Sequence, residues 1–340
     1  MPSQLRIVVC DATPGYARAL ARYLEHDPAI EVVATFTRTE HLPRQVERLR
    51  PDLLILDVDA SAPSRLRAIE RIMGERPLPI LVLAEAGGDG PEHAAAALAA
   101  GALEAAAKAA IHLTDPSDLW ATAMRSRVKR LASVKVRASG RALEPAARIP
   151  RLDRVARVVG IGASTGGPPA LASILGHLPA GSPLAVLVVQ HISVGFGAGL
   201  VSWLDGCVAP PVRTATAGTL AGPGIWIAPD DAHLALDTSL RFVIDAETRH
   251  GGHRPSVDVL FGSLAASVGE QTVGVVLTGM GRDGAEGVAA IRAARGIVIA
   301  QDEASSAVFG MPRAAIDAGA DLVLPLASIG PALLSLRPVT

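Results

Sequence analysis

Residues 158–169 constrain the fold of this chain most strongly, because they join a short apolar run to a helical pattern through a glycine-rich turn. The run at 157–161 predicts a buried strand, and the apolar positions after it repeat every three or four residues, which predicts a helix. Pro168 and Pro169 suit the first helical turn, where no amide hydrogen is needed. Ser164 is therefore expected on a sharp turn between strand and helix, facing unpaired N–H groups that could stabilise an oxyanion.

The next apolar run, residues 184–189, separates two interpretations of this turn. The spacing of Gly160, Gly162 and Gly166 also approximates a dinucleotide-binding fingerprint, which expects an acidic residue at the end of the following strand. The run ends instead in Gln190 and His191, and an imidazole at the carboxyl end of a strand is well placed to act as a general base. The pattern therefore favours acyl transfer over dinucleotide binding.

A third strand pattern at 273–277 breaks into a glycine-rich turn that contains Asp283, and a second helical pattern follows. We expect Asp283 to open that helix. The carboxyl ends of parallel strands meet at one edge of a sheet, so Ser164, His191 and Asp283 are predicted to converge as a catalytic triad. Their order along the chain differs from the Ser-Asp/Glu-His order of α/β-hydrolases.

Five separated motifs carry a resemblance to a known family. They are Gly-Ala-Ser-Thr-Gly-Gly at 162–167, Gln-His at 190–191, His-Arg-Pro-Ser-Val-Asp-Val-Leu-Phe at 253–261, Leu-Thr-Gly-Met-Gly-Arg-Asp-Gly-Ala at 277–285 and the run at 301–313. In this order they closely resemble the chemotaxis protein-glutamate methylesterases, the CheB family. The resemblance implies hydrolysis of glutamate γ-methyl esters and deamidation of certain glutamines on chemoreceptors, without a metal or organic cofactor.

The family resemblance also assigns roles to individual residues. It places the triad on Ser164, His191 and Asp283, and it implies that Thr165 and Met280 line the active site. Because the substrate is a side chain on a receptor helix, we expect a shallow groove, and we take the segment Arg254, Pro255 and Ser256 as its candidate rim. The remaining histidines have no compact metal-ligand spacing, so the sequence predicts no metal site from His233, His250 and His253.

The amino-terminal third resembles a response-regulator receiver. Strand patterns at 5–10, 53–56 and 79–83 place Asp57 at the phosphoacceptor position and Lys108 at the position of the lysine that pairs with the phosphoryl group. The resemblance implies a histidine kinase as partner and Mg²⁺ as ligand. However, Asp11 is followed by Ala12 where the family has a second carboxylate, and the loss of a hard oxygen ligand argues against Mg²⁺ binding. Whether Asp57 is still phosphorylated stays open, with Asp59 as a candidate replacement ligand.

Length and composition agree with two α/β domains, each a doubly wound parallel sheet, one flavodoxin-like and one Rossmann-like. The 340 residues suggest two cores, and we expect a receiver at 1–124, a basic flexible linker at 125–154 and a catalytic domain at 155–340. Eleven Lys and Arg residues between 125 and 157 define that linker. Two cysteines, a net charge of −1 and the lack of a long apolar run predict a cytoplasmic protein that neither binds nucleic acid nor inserts into a membrane.

Two other functions stay open at this point. The first is a noncatalytic or phosphorylation-independent signalling adaptor that keeps an unused hydrolase fold, against which the intact Ser164, His191 and Asp283 count. The second is a dinucleotide-binding enzyme, which the missing acidic residue disfavours.

Overall fold

The computed structural model of this chain describes residues 4–58, 62–108, 119–134, 136, 152 and 154–338. Two compact units, Met1–Arg141 and Ala142–Thr340, divide the chain. Each unit is built on a parallel sheet with helical connections, as the sequence predicts. No helix within the described ranges combines the length and the apolar character that crossing a membrane requires.

The amino-terminal unit holds a five-stranded parallel sheet in the order β2-β1-β3-β4-β5. Its strands are β1 (Leu5–Cys10), β2 (Ile30–Phe36), β3 (Leu53–Asp57), β4 (Ile80–Ala84) and β5 (Glu104–Ala107). Its helices are α1 (Pro14–Glu25), α2 (Leu42–Leu49), α3 (Ala62–Glu75), α4 (Gly90–Ala99) and α5 (Leu119–Ala132). This strand order is that of the flavodoxin-like fold. Every residue of β3 and β4 is buried, which explains their continuous apolar runs.

Helix α5 extends beyond the point where the sequence predicts the linker to begin. Arg125 lies inside the helix and donates from Nη1 to the Tyr23 carbonyl (3.1 Å). The apolar residues Met124, Val128 and Leu131 of the same helix are buried. The basic residues that suggested a linker at 125 are therefore the polar face of an amphipathic helix. Most of the rest of the proposed linker lies outside the described residues.

The carboxy-terminal unit holds a seven-stranded parallel sheet in the order β15-β14-β13-β7-β8-β10-β9. The strands of this unit are β6 (Val155–Ala156), β7 (Val158–Ala163), β8 (Ala185–Gln190), β9 (Val212–Thr214), β10 (Gly224–Ile227), β11 (His233–Leu236), β12 (Phe242–Asp245), β13 (Thr272–Val276), β14 (Ile297–Gln301), β15 (Leu322–Leu324) and β16 (Arg337–Pro338). The pairs β6 with β16 and β11 with β12 form two small separate sheets.

Six α-helices in the described part of this unit cover both faces of its large sheet. They are α6 (Gly167–Leu175), α7 (Gly197–Cys207), α8 (Val257–Val268), α9 (Ala285–Ala293), α10 (Met311–Asp317) and α11 (Leu326–Leu333), with a short 3₁₀ turn at Gly269–Gln271. One core joins α6, α7 and α11 to one face, and a second core joins α8, α9 and α10 to the other. The sheet is therefore buried on both sides, as a doubly wound fold requires.

Strand β7 is the topological switch point of the large sheet, since β13 pairs with one of its edges and β8 with the other. Gly160 and Gly162 lie within this strand, not in the turn after it. A Cβ atom at Gly160 would lie 2.6 Å from Leu264 Cδ1, and one at Gly162 would overlap Val257. The two glycines therefore let α8 pack closely against β7. In open α/β sheets, ligands usually bind in the crevice beyond the carboxyl ends of the strands at the switch point, which here is the end of β7.

Candidate active site

Ser164 lies directly after β7, on the turn that leads into α6. Its N–H donates to the Thr278 carbonyl (3.1 Å), and its carbonyl accepts from Gly167 N–H (2.8 Å) and Gln190 Nε2 (2.7 Å). Gly166 closes the turn with a φ of +76°, a left-handed conformation that favours glycine. The backbone of Ser164 is thus fixed on three sides, and its side chain is only half-buried.

His191 lies directly after β8, the neighbour of β7. Ala163 and Gln190 are register partners in these two strands, so Ser164 and His191 are the next residues of adjacent parallel strands. His191 N–H donates to the Ala163 carbonyl (2.9 Å), which ties the two strand ends together. The serine and the imidazole therefore leave the sheet side by side, at the position that the sequence predicts.

Asp283 is brought to His191 by the turn that follows β13. His191 Nε2 lies 2.7 Å from Asp283 Oδ2, and both side chains are largely shielded, with 13% and 3% of their surfaces exposed. The other ring nitrogen, Nδ1, is buried and makes no hydrogen bond within the described part of the chain. The imidazole also stacks on His253, with ring centroids 4.5 Å apart and planes 9° from parallel. The Asp283 carboxylate and the His253 ring therefore hold the imidazole in place, and its Nδ1 has no hydrogen-bond partner among the described residues.

The amino terminus of α8 surrounds the Asp283 carboxylate with donors. It accepts hydrogen bonds from Ser256 Oγ (2.8 Å), Val257 N–H (2.8 Å) and Asp258 N–H (3.0 Å), in addition to His191. Burial alone would raise its pKa, but the hydrogen bond and charge of His191 and the two N–H donors hold the pKa of Asp283 well below its usual range. Asp283 is therefore a carboxylate at neutral pH.

Two expectations from the sequence are wrong at this point. Asp283 does not open the helix after it, because α9 starts at Ala285 with Gly284 as its N-cap, and the carboxylate binds the amino terminus of α8 instead. Ser256 is not a rim residue, because it is fully buried and caps α8, where its Oγ contacts Asp283. The motif at 253–261 therefore supplies hydrogen-bond donors to the Asp283 carboxylate.

Thr165 and Met280 flank the serine turn. Thr165 is buried, and its carbonyl accepts from Thr278 Oγ1 (3.0 Å). Met280 follows Gly279, whose backbone runs so close to the serine that a Cβ atom there would lie 2.8 Å from Ser164 Cβ. The N–H groups of Thr165 and Met280 have no hydrogen-bond partner among the described residues. Two N–H donors without a partner therefore lie near Ser164. Thr165 follows it in the chain, and Met280 follows Gly279, which packs against it.

Sequence reasoning did not assign roles to the two glutamines that hold these turns. Gln190 bridges the carbonyls of Ser164 (2.7 Å) and His191 (2.9 Å) through Nε2. Gln301, fully buried at the end of β14, accepts from Thr278 N–H (2.8 Å). A polar residue that ends an otherwise apolar parallel strand is the signal that could have identified both, because its side chain must find partners at the sheet edge.

Two clusters among the residues that the structure describes bring three ligand-type atoms within 4.8 Å of one another. They are His191, His253 and Asp283, and His250, Asp258 and Glu286. In the first cluster the carboxylate already accepts four hydrogen bonds, so its charge is compensated by the protein itself. In the second, His250 and Glu286 are exposed. Neither arrangement by itself predicts a bound ion.

The receiver residues named from the sequence also meet in one pocket. Lys108 Nζ lies 2.8 Å from Asp11 Oδ2 and 3.1 Å from Asp57 Oδ1. Asp11 Oδ1 accepts from Thr13 N–H (2.8 Å), and Asp57 Oδ2 accepts from Ala12 N–H (3.3 Å). Three of the four carboxylate oxygens therefore accept a hydrogen bond, and the fourth, Asp11 Oδ2, is paired with Lys108 by charge without a regular hydrogen bond. The described residues do not fit a Mg²⁺ site, which needs several free hard oxygens. Asp59, the candidate replacement ligand, lies outside the described residues.

The family model that describes the CheB methylesterases matches residues 159–333, which is more than half of the chain. The chain belongs to the CheB methylesterase family. A protein-glutamate methylesterase/protein-glutamine glutaminase of Anaeromyxobacter dehalogenans is 39% identical over 327 residues, which cover 94% of this chain and 95% of that protein. One of Myxococcus xanthus is 40% identical over 328 residues, or 96% of this chain and 92% of that protein.

A solved structure agrees with this membership. The crystal structure of the Thermotoga maritima CheB methylesterase catalytic domain is 38% identical, with a TM-score of 0.52, and covers 54% of this chain and 99% of that domain. The resemblance to the CheB family inferred from the five sequence motifs is thus confirmed, and this CheB-family chain has the α/β fold that the motifs predict.

Proposed function

We propose that this chain is a protein-glutamate methylesterase and protein-glutamine glutaminase that acts on chemoreceptors during signal adaptation. The relatives that it matches over nearly their whole length carry those names. The observation that carries the proposal is the hydrogen bond of 2.7 Å between His191 and Asp283, beside the serine turn at the switch point of the sheet. That arrangement supplies a nucleophile, a base and an orienting carboxylate in one crevice.

In the first half of the reaction, Ser164 Oγ attacks the side-chain carbonyl carbon of the substrate. His191 accepts the hydroxyl proton on the ring nitrogen that Asp283 leaves open, and the buried Asp283 carboxylate stabilises the resulting imidazolium. The tetrahedral intermediate collapses when the imidazolium returns the proton to the leaving group. A methyl ester then releases methanol and a glutamine releases ammonia, and both leave the same glutamyl ester on Ser164.

In the second half, a water molecule attacks that ester while His191 accepts its proton. Collapse expels Ser164 Oγ, which takes the proton back, and the receptor side chain leaves as glutamate. The negative oxygen of both tetrahedral intermediates needs hydrogen-bond donors, and we assign this role to the free N–H groups of Thr165 and Met280. The Ser164 carbonyl, which accepts from Gly167 N–H and Gln190 Nε2, fixes the peptide that presents the Thr165 donor. The Gly279 carbonyl, which accepts from the N–H groups of Gly310 and Met311, fixes the peptide that presents the Met280 donor.

The proposed substrates are methyl-accepting chemotaxis receptors, and a histidine kinase is the proposed docking partner of the receiver, whether or not it transfers a phosphoryl group. We expect the chain to act in the cytoplasm, where Cys10 and Cys207, both unpaired here, stay reduced. Chemoreceptor preparations that carry glutamate methyl esters test the proposal. The native chain should release methanol and convert receptor glutamines to glutamate, whereas receptors whose modified positions are alanine should give neither product. A native chain that releases no methanol from any methylated receptor would contradict the proposal.

A further inference from the structure

Arg65 places an unexpected positive charge in the receiver pocket. It lies on α3, and only 3% of its surface is exposed. Its Nη2 lies 3.5 Å from Asp57 Oδ2, and its Nη1 lies 4.0 Å from the Cys10 sulfur. A buried guanidinium is strongly destabilising unless an opposite charge lies nearby. The Asp57 carboxylate supplies that opposite charge.

The charges of the described pocket balance without an ion. Asp11 and Asp57 carry two negative charges, and Lys108 and Arg65 carry two positive charges. Lys108 has its ammonium 4.6 Å from the centre of the Tyr16 ring, which covers the pocket on one side. A divalent cation added to this set would bring an uncompensated double charge into a largely buried space, at a large electrostatic cost.

Among the described carboxylate oxygens of the pocket, only Asp11 Oδ2 makes no hydrogen bond, and it lies 2.8 Å from the Lys108 ammonium, whereas Mg²⁺ needs several free hard oxygens. Asp57 Oδ1 faces Lys108, and Asp57 Oδ2 faces both Ala12 N–H and Arg65. Burial and the charge of Asp11 raise the pKa of Asp57, while Lys108 and Arg65 act against this shift. A guanidinium suits this position because it stays charged when buried and presents several donors in a plane.

We propose that Arg65 takes the place of Mg²⁺ in the receiver pocket, so that the pocket is neutralised by the protein itself and does not bind the metal. Two changes make this arrangement: Ala12 stands where the second carboxylate of a receiver would lie, and Arg65 supplies a fixed cation. Phosphoryl transfer to a receiver aspartate needs a metal to neutralise charge on the transferred group. Asp57 of this chain is therefore not phosphorylated by a Mg²⁺-dependent reaction, and the receiver does not switch by that route.

Titration of the full chain with MgCl₂, followed by isothermal calorimetry, tests the proposal. The variants are Ala12→Asp, Arg65→Gln and the double substitution, and Arg71→Gln is the control because Arg71 lies on the same helix and pairs at the surface with Glu75. The native chain, Ala12→Asp and Arg71→Gln should show no saturable binding. The double variant should bind Mg²⁺ saturably, with an affinity at least about tenfold above the upper limit that the titration sets for Ala12→Asp.

Several results would overturn the proposal. Saturable binding by the native chain would show that Arg65 does not occupy the metal position. Equal binding by Ala12→Asp and the double variant, or no binding by either, would show that Arg65 is not what excludes the metal. Acetyl phosphate provides a second readout: after incubation with Mg²⁺, mass spectrometry should find a phosphoryl group on Asp57 only in the double variant. If the double variant unfolds, Arg65→Met with Ala12→Asp removes the charge with an unbranched apolar side chain. It should then bind Mg²⁺ where Ala12→Asp does not, and no binding by this folded variant would overturn the proposal.

Discussion

His191 Nε2 lies 2.7 Å from Asp283 Oδ2, although 92 residues separate the two in the chain. The contact joins the carboxyl ends of β8 and β13, which lie on either side of β7, and so places both groups beside Ser164. One hydrogen bond thus fixes both the tautomer and the orientation of the imidazole at the point where the serine leaves the sheet.

Asp283→Asn should reduce methanol release from methylated receptors by about 10³- to 10⁴-fold, because an amide cannot stabilise the imidazolium and favours the wrong tautomer. The protein should stay folded, since the amide oxygen can still accept from the amino terminus of α8. Asp317→Asn, at an exposed ion pair with Arg313, is the matched control and should keep native turnover. Native-like turnover by Asp283→Asn would refute the role of this carboxylate.

Stability against acid should depend on Asp283. Because its pKa is lower in the folded chain than in the unfolded chain, the carboxylate contributes stability above the unfolded pKa of about 4, and this contribution is lost as the pH falls below that value. The difference in unfolding free energy between the native chain and Asp283→Asn should therefore shrink between pH 5 and the acid limit of folding. Urea titrations at several pH values measure it, and a constant difference would contradict the account.

The unfolding free energy of the native chain relative to that of Asp57→Asn should decrease as the pH rises. The pKa of Asp57 is raised, chiefly by burial and then by the charge of Asp11, so the folded environment disfavours the charged form. The stability associated with the protonated acid is present below the unfolded pKa and is lost as the pH rises through the folded pKa. The amide does not titrate, and the cost of leaving Arg65 and Lys108 with one carboxylate fewer does not depend on the ionisation of residue 57. Urea unfolding at several pH values between about 4 and 7 measures this difference. It should stay constant for the exposed control Asp89→Asn, and a constant difference for Asp57→Asn would contradict the account.

Gly162→Ala should destabilise the carboxy-terminal unit by about 1–3 kcal/mol, because its methyl group would overlap the stiff Val257 side chain of α8. Val257→Ala should relieve part of this cost in a double-mutant cycle, since it removes the overlapping atoms. Gly181→Ala has open space around its Cβ position and serves as control. Urea midpoints measure the effect, and additive losses in the double variant would contradict the packing argument.

Much of the fold could be predicted because the apolar runs of parallel strands are local. The pattern at 5–10 coincides with β1, and the run at 184–189 predicts β8 to within one residue at each end. The positions of Ser164 and His191 follow from those strands. The donors around Asp283 could not be predicted, because Ser256 and Val257 lie 27 and 26 residues away and reach it only after α8 packs against β7.

The same limit applies to the receiver. The sequence indicates which carboxylate is missing, because Ala12 lies next to Asp11 after a clear strand. It does not indicate that Arg65 fills the pocket, since its contact with Cys10 spans 55 residues and a lone arginine in a helix is normally exposed. The sequence also predicts too short a helix α5, because the charged face of residues 125–132 has the composition of a linker.

Methanol release by Ser164→Ala tests the central claim most directly. The native chain, Ser164→Ala and Ser202→Ala, an exposed serine on α7, should be compared on one preparation of methylated receptor, with circular dichroism to confirm folding. We expect native rates from Ser202→Ala and no methanol above background from Ser164→Ala. Release by a folded Ser164→Ala at a rate similar to that of the native chain would contradict the assignment of Ser164 as the nucleophile, and with it the proposed mechanism.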